Sequence, residues 1–157
     1  MTVEALASLL DEYEAGLDAE LQLLGELETM ARRQRDISLA RDYTTFNRES
    51  ETRERLTHAL LAIEERLRPV RDQLAASREA AVQLPAYDRV VERHGRSQRV
   101  IARILATDQE SLRVMREAEA ARKLALARIE QGEVTLAAYR RVLVPTVATP
   151  TLVNKRG

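Results

Sequence analysis

The sequence predicts an all-α protein in which three long antiparallel helices form an elongated bundle or coiled coil, with a mobile tail at the C-terminus. A run of apolar residues at heptad spacing through the middle of the chain is the strongest indication. Composition supports it, because 32% of the residues are charged, only 3% are aromatic and Trp is absent. Such a chain buries its aliphatic side chains in narrow seams between helices more readily than in a thick globular core.

The first helix is predicted over residues 3–38. Thr2 is its candidate N-cap, and Glu4 follows near the positive end of the helix dipole. Apolar residues then alternate in spacing along one face: Leu6, Leu10, Tyr13, Leu17, Leu24, Leu27 and Ala31, with Glu20 interrupting them. Gly16 and Gly25 each weaken the helix by about 1 kcal/mol relative to Ala, and they permit close approach by a neighbour.

The second helix is predicted over residues 43–84, with Asp42 as its N-cap. It carries the heptad run, in which only Ser77 is polar: Leu56, Leu60, Ile63, Leu67, Val70, Leu74, Ser77, Ala81 and Leu84. Pro69 lies inside this run and removes one backbone hydrogen bond. The spacing continues unchanged across Pro69, which favours a kink over a break.

The third helix is predicted over residues 86–142, after Pro85 at the turn. Its apolar positions form one main seam: Tyr87, Val91, Ile101, Leu105, Leu112, Met115, Leu126, Ile129 and Leu136. A second row adds Val100, Ile104 and Leu124, and Gly95 is a candidate break. We therefore expect a single helical domain over residues 1–143 and a flexible tail over 144–157, where prolines recur and helical periodicity is lost.

Charge is distributed unevenly along the chain. Eight of the 25 acidic residues lie within residues 1–31, which contain no Lys or Arg, so all 25 basic residues follow. A basic run begins the third helix: Arg89, Arg93, His94, Arg96, Arg99 and Arg103. Two interpretations are open. These bases form ion pairs with the acidic first helix, or they form a surface for an anionic partner such as nucleic acid.

The chain offers few residues for chemistry. It contains no Cys, and His58 and His94 lie beyond helical reach of each other, so a metal site is not expected. Its glycines are not clustered into a phosphate-binding loop. We expect no enzyme activity and no cofactor. No basic-then-apolar leader is evident at the N-terminus and no aliphatic stretch approaches membrane-span length, so a cytoplasmic protein without membrane insertion is expected.

Several segments resemble the cytoplasmic chaperones of bacterial flagellar type III export. The resemblance covers the stretch Leu17-Asp-Ala-Glu-Leu-Gln-Leu-Leu, the Asp42 loop, and the leucines at 56 and 60. Asp108-Gln-Glu-Ser-Leu looks like the polar stretch that opens the final helix of that family, and Tyr139 looks like its C-terminal tyrosine. The chain is most similar to the FlgN-like chaperones of hook-associated proteins, with the FliT-like filament-cap chaperones second.

The resemblance implies a function in protein binding. Such chaperones hold the C-terminal helices of hook-associated or filament-cap proteins, prevent their premature assembly and deliver them to the export gate. We expect the client to bind the double apolar row of the third helix: Val100, Ile101, Ile104, Leu105, Leu112 and Met115. The alternative for each of these residues is a place in the core. Tyr139 is expected to contact the export gate, or else is an ordinary amphipathic tyrosine.

Two other functions compete with the chaperone. The heptads of the second helix also suit a structural, oligomerising coiled coil such as a rod, stalk or scaffold. The basic run suits a nucleic-acid or anionic-surface binder, whose affinity would fall steeply with salt. If the protein is such a chaperone, we expect it to be a monomer or homodimer and to have no nucleic-acid partner.

Overall fold

A computed structural model describes the backbone of residues 1–147 and the side chains of residues 1–141. This part of the chain is all-helical and has no strand. Its helices are α1 (Val3–Leu39), α2 (Tyr43–Ala76), the single turn α3 (Arg78–Ala81) and α4 (Pro85–Val147). The all-α prediction is confirmed, and the long helices pack together.

Helix α1 is closed at both ends by local hydrogen bonds. The Thr2 hydroxyl accepts a hydrogen bond from the amide of Ala5, which confirms the predicted N-cap. At the other end the amide of Asp42 bonds to the carbonyl of Ile37, and the amide of Arg41 bonds to that of Ser38. This is a Schellman motif, and Arg41 takes the left-handed position, at φ 58°, that glycine usually occupies.

Helix α2 begins where predicted and ends earlier. The Asp42 side chain accepts a hydrogen bond from the Thr45 amide, as an N-cap does. The helix continues through Pro69, so the alternative of a break there is wrong, and the kink stays a prediction. It ends at Ala76, because Ser77 leaves helical geometry and its amide bonds back to Leu74. A single helix over 43–84 is therefore wrong, and the one polar heptad position marks the interruption.

Helix α4 runs from Pro85 to Val147 without a break at Gly95, and no helix begins at Asp108. Residues 144–147, which were predicted to begin the flexible tail, are helical. The rest of that predicted tail lies outside the described residues. The chain divides into two compact units, of which the first comprises Met1–Val114 and the second begins at Met115. One helical domain over residues 1–143 stays a prediction.

The core of the first unit consists of two apolar clusters. The first contains residues of α1, α2 and α4: Leu10, Tyr13, Leu17, Ile63, Leu67, Val70, Ala86 and Val90. The second contains Leu24, Leu27, Ala31 and Ile104, with Leu56, Leu60 and Val100 packed against it. The predicted seams of the first two helices are thus confirmed as core. In the described part of the chain, no helix has an apolar stretch long enough to cross a membrane.

Candidate functional site

Helix α4 packs against the other helices through a row in which Ala and Ser residues alternate with larger aliphatic ones. This buried row consists of Ala86, Val90, Ser97, Ile104 and Ser111. Ile104 is only 7% exposed and lies in the second core cluster, where Val100 packs beside it. These two residues were predicted to bind the client, with a place in the core as the alternative, and the structure supports the alternative.

Ion pairs join α1 to α4 along one edge of this packing, at a constant separation of 75 residues. We call this set the ion-pair ladder: Glu14–Arg89, Asp18–Arg93, Glu28–Arg103 and Arg35–Glu110, at nitrogen–oxygen distances of 3.1, 2.7, 2.6 and 3.7 Å. The hydrogen bond from Arg103 lowers the pKa of the Glu28 carboxyl below its ordinary range. Arg89, Arg93 and Arg103 thus pair with acids of the first helix, as the first interpretation of the basic run proposed.

A second row of α4 is apolar and remains exposed. It comprises Val91, Ile101, Leu105 and Leu112, and we call it the open row. Leu105 is 56% exposed, although it follows Ile104 directly. One residue turns the helix by about 100°, so the two neighbours lie on different faces. The sequence placed the main seam of α4 on this row, and that assignment is wrong because the structure buries the less apolar row instead.

The open row borders α2. Asp108, one heptad beyond Ile101, accepts hydrogen bonds from both terminal nitrogens of Arg53 on α2, one of them 2.7 Å long. Val91, two heptads before Leu105, lines a pocket together with Leu74 of α2. Positions one heptad apart share a helix face, so the open row follows the groove between α2 and α4.

The pocket at the start of this groove has a volume of about 300 Å³. Leu10 and Tyr13 of α1 contribute to its lining, with Leu74 and Ala75 on the α2 side and Val90 on the α4 side. Three basic side chains also line it, Arg71, Arg78 and His94, and no carboxylate does. The groove therefore combines an apolar lining with positive charge.

A carboxyl group buried on α1 pairs with a partly exposed one on α2 beside this pocket. Glu20 of α1 is 4% exposed, and burial, followed by its hydrogen bond to Glu64 of α2, raises its pKa to about 8. That bond and Arg71 lower the pKa of the Glu64 carboxyl, while the buried Oε1 of Glu20 has no hydrogen-bond partner within the described residues. Arg71 donates to Glu64 at 2.7 Å and to the Tyr13 hydroxyl at 3.1 Å.

This carboxyl pair was not predicted. In the sequence, Glu20 interrupts an apolar seam. An acidic residue at a heptad core position was the one sign that its side chain is buried against another polar group. Its partner Glu64 lies on α2. The pairing joins residues of two helices, so spacing within one helix does not reveal it.

The remaining predicted site residues belong to the second unit. Met115 is half-buried, and Tyr139 is 61% exposed on α4. Exposed aliphatic side chains accompany Tyr139 along this unit: Leu124, Leu126, Ile129, Val134 and Leu136. Contacts of Met115 with a client and of Tyr139 with an export gate stay predictions.

Two further findings bear on the site. Among the residues that the structure describes, no group of three or more His, Asp or Glu side chains is arranged to hold a metal ion. Comparison with protein-family models, with curated proteins and with solved structures found no match.

Proposed function

We propose that this protein is a cytoplasmic export chaperone of the flagellar type that it resembles, FlgN-like with the FliT-like type second. In this role it binds C-terminal helices of hook-associated or filament-cap proteins and presents them to an export gate component. One observation carries the proposal. The buried row of α4 includes Ala86, Ser97 and Ser111, whereas every member of the open row is a Val, Ile or Leu side chain that remains exposed.

The proposal includes an up-down-up arrangement of the three long helices. Tyr13 of α1 meets Arg71 near the end of α2, whereas Gln34 near the end of α1 meets Ser50 near the start of α2, at 2.8 Å. These contacts support opposite directions for α1 and α2. The constant 75-residue offset of the ion-pair ladder supports a common direction for α1 and α4.

An amphipathic helix is the partner that suits the groove. Exposed aliphatic residues at heptad spacing match the i, i+3, i+4, i+7 anchors of a helix lying in a groove. Leu61 of α2 is also exposed, and it shares a face with Ala75, which lines the pocket two heptads later. Apolar side chains on both helices thus border the groove, and its basic pocket favours a partner with acidic residues.

Calorimetric titration with peptides from the C-terminal helices of hook-associated and filament-cap proteins tests this function. We expect saturable 1:1 binding by the native protein, and loss of binding in the double variant Leu105→Glu/Leu112→Glu. Ala106→Glu is the matched control, because Ala106 is exposed and lies on a face of α4 turned away from the open row. Equal binding by the double variant, or no binding of any peptide to helical protein, would contradict the proposal.

The second candidate is a structural, oligomerising coiled coil. The exposed aliphatic residues between Leu124 and Leu136 favour it, because such side chains are usually covered in oligomers. Sedimentation equilibrium separates the two candidates. A stable homo-oligomer that dissociates on Leu126→Glu/Ile129→Glu would favour the scaffold, and a monomer would remove it.

A further inference from the structure

We propose that the pocket between α2 and α4 is the anchor site for the partner helix. It accepts one large apolar side chain of that helix, and Arg78 pairs with an Asp or Glu one helical turn away from the anchor. This inference rests on the proposed function, and it adds the chemistry by which the partner is recognised.

The size and walls of the pocket suit a single anchor. Its volume of about 300 Å³ is at the lower end of the range for ligand sites, so it accommodates a side chain more readily than a large ligand. Leu10, Leu74 and Val91 supply apolar surface, and Tyr87 is partly buried at the rim. Large apolar side chains inserted into such pockets dominate the energy of many protein interfaces.

The three basic side chains of the pocket differ in their availability. Arg71 is held by Glu64 and Tyr13, over whose ring its guanidinium lies at 5.8 Å from the centroid. His94 lies 3.1 Å from the Gln98 amide, between Nε2 atoms. Arg78 is exposed and, within the described residues, forms no ion pair. Arg78 is therefore the cation that a partner carboxylate neutralises.

The spacing of anchor and carboxylate follows from helical geometry. Residues three or four apart lie on the same face of a helix, about one turn from each other. A partner helix that inserts an apolar side chain between Leu74 and Val91 therefore presents a second side chain to the rim of the pocket. An acid there meets Arg78, and a lysine there is repelled by Arg71 and Arg78 together.

Small probes test the pocket without requiring an identified client. We would follow backbone amide resonances of the ¹⁵N-labelled full chain during titration with 4-phenylbutyrate and, separately, with 4-phenylbutylamine. Both probes carry a phenyl ring on a four-carbon chain, and they differ in the charge at the end of that chain. We expect saturable shifts around Leu74, Val91 and His94, with the carboxylate binding about fivefold tighter than the amine, as an exposed ion pair allows.

Two variants assign the charge preference to Arg78. Arg78→Glu should abolish or invert the preference between the probes, whereas Arg99→Glu, an exposed arginine outside the pocket lining, should leave it unchanged. Absence of shifts at the pocket, or a preference that Arg78→Glu does not alter, would overturn the inference.

The outcome is separable from that of the proposed function. Probe binding at the pocket of the native protein, together with no binding of any client peptide to that same protein, would preserve the pocket and reject the chaperone. Binding of a client peptide without probe binding at the pocket would support the chaperone and reject the pocket as the anchor site.

Discussion

The buried row and the open row of α4 are offset by a single residue, yet one is buried and the other is exposed to solvent. The buried row contains Ala86, Ser97 and Ser111, and the ion-pair ladder borders its packing against α1. The open row contains larger aliphatic side chains that remain exposed, and its first member, Val91, lines a pocket together with Leu74 of α2. Small side chains let helices approach closely, and large exposed ones remain available to another molecule. The hydrophobicity of a helix face therefore does not by itself identify the core.

Truncation of adjacent residues should show the largest contrast between the rows. Ile104→Ala removes a buried side chain, and we expect it to lower the free energy of unfolding by about 2–4 kcal/mol. Leu105→Ala removes an exposed one and should change it by about 0.5 kcal/mol or less. Urea unfolding followed by circular dichroism measures both. Equal losses in the two variants would mean that the open row is part of the core.

The buried Glu20 should make the stability depend on pH. Its pKa rises from an ordinary value of 4.5 to about 8 on folding, so the folded protein binds more protons than the unfolded chain between these values. The free energy of unfolding therefore falls as pH rises from about 4.5 to about 8. The lowered pKa of Glu64 acts in the opposite sense, but only at pH below 4.5.

Replacement of Glu20 isolates this effect. Glu20→Gln keeps the size and a hydrogen-bond donor toward Glu64 but does not ionise, so we expect about 1–3 kcal/mol of added stability at pH 9 and little change at pH 5. Urea unfolding at the two pH values is the measurement. A variant that is equally stabilised or destabilised at both would show that Glu20 does not titrate within the core.

Two glycines of α1 should respond oppositely to alanine. A Cβ atom at Gly16 would clash with the side chain of the buried Leu67, whereas one at Gly25 meets nothing within 4 Å. Gly25→Ala should stabilise the protein by about 1 kcal/mol through helix propensity. Gly16→Ala should instead lower stability by about 1–2 kcal/mol, because the core is overpacked there. Thermal unfolding of both variants tests these opposite effects on stability. Stabilisation by Gly16→Ala would contradict the prediction and indicate a looser contact between α1 and α2.

Of these features, we expect the ion-pair ladder to contribute least to the stability of the fold. Glu28→Arg places like charges beside Arg103 and should lower the melting temperature at low salt, with the difference shrinking as salt is added. The exchange Glu28→Arg/Arg103→Glu should recover part of the loss. A melting temperature that charge reversal leaves unchanged at low salt would show that the ladder contributes nothing to the packing of α1 on α4.

The sequence was informative for α1 and α2 and misleading for α4. The heptad positions of Leu10, Leu17 and Ile63 are buried as predicted, because in those helices the most apolar row is also the core row. In α4 the pattern favours Leu105 over Ser97, although the structure buries Ser97. Ion pairs such as those of Arg93 and Arg103 were one of the two interpretations of the basic run, because the sequence separates acidic residues in the first helix from basic residues in the third. The pocket and the Glu20–Glu64 pair depend on the register between helices, which no single segment encodes.

The open row as a binding surface is the central claim, and methyl resonances test it most directly. We would label the Ile, Leu and Val methyl groups and add C-terminal helix peptides of hook-associated and filament-cap proteins. We expect large shifts for the methyl groups of Ile101, Leu105 and Leu112, and little change for those of the buried Ile104 and Leu24. Shifts confined to methyl groups away from the open row, or none with any peptide, would contradict it.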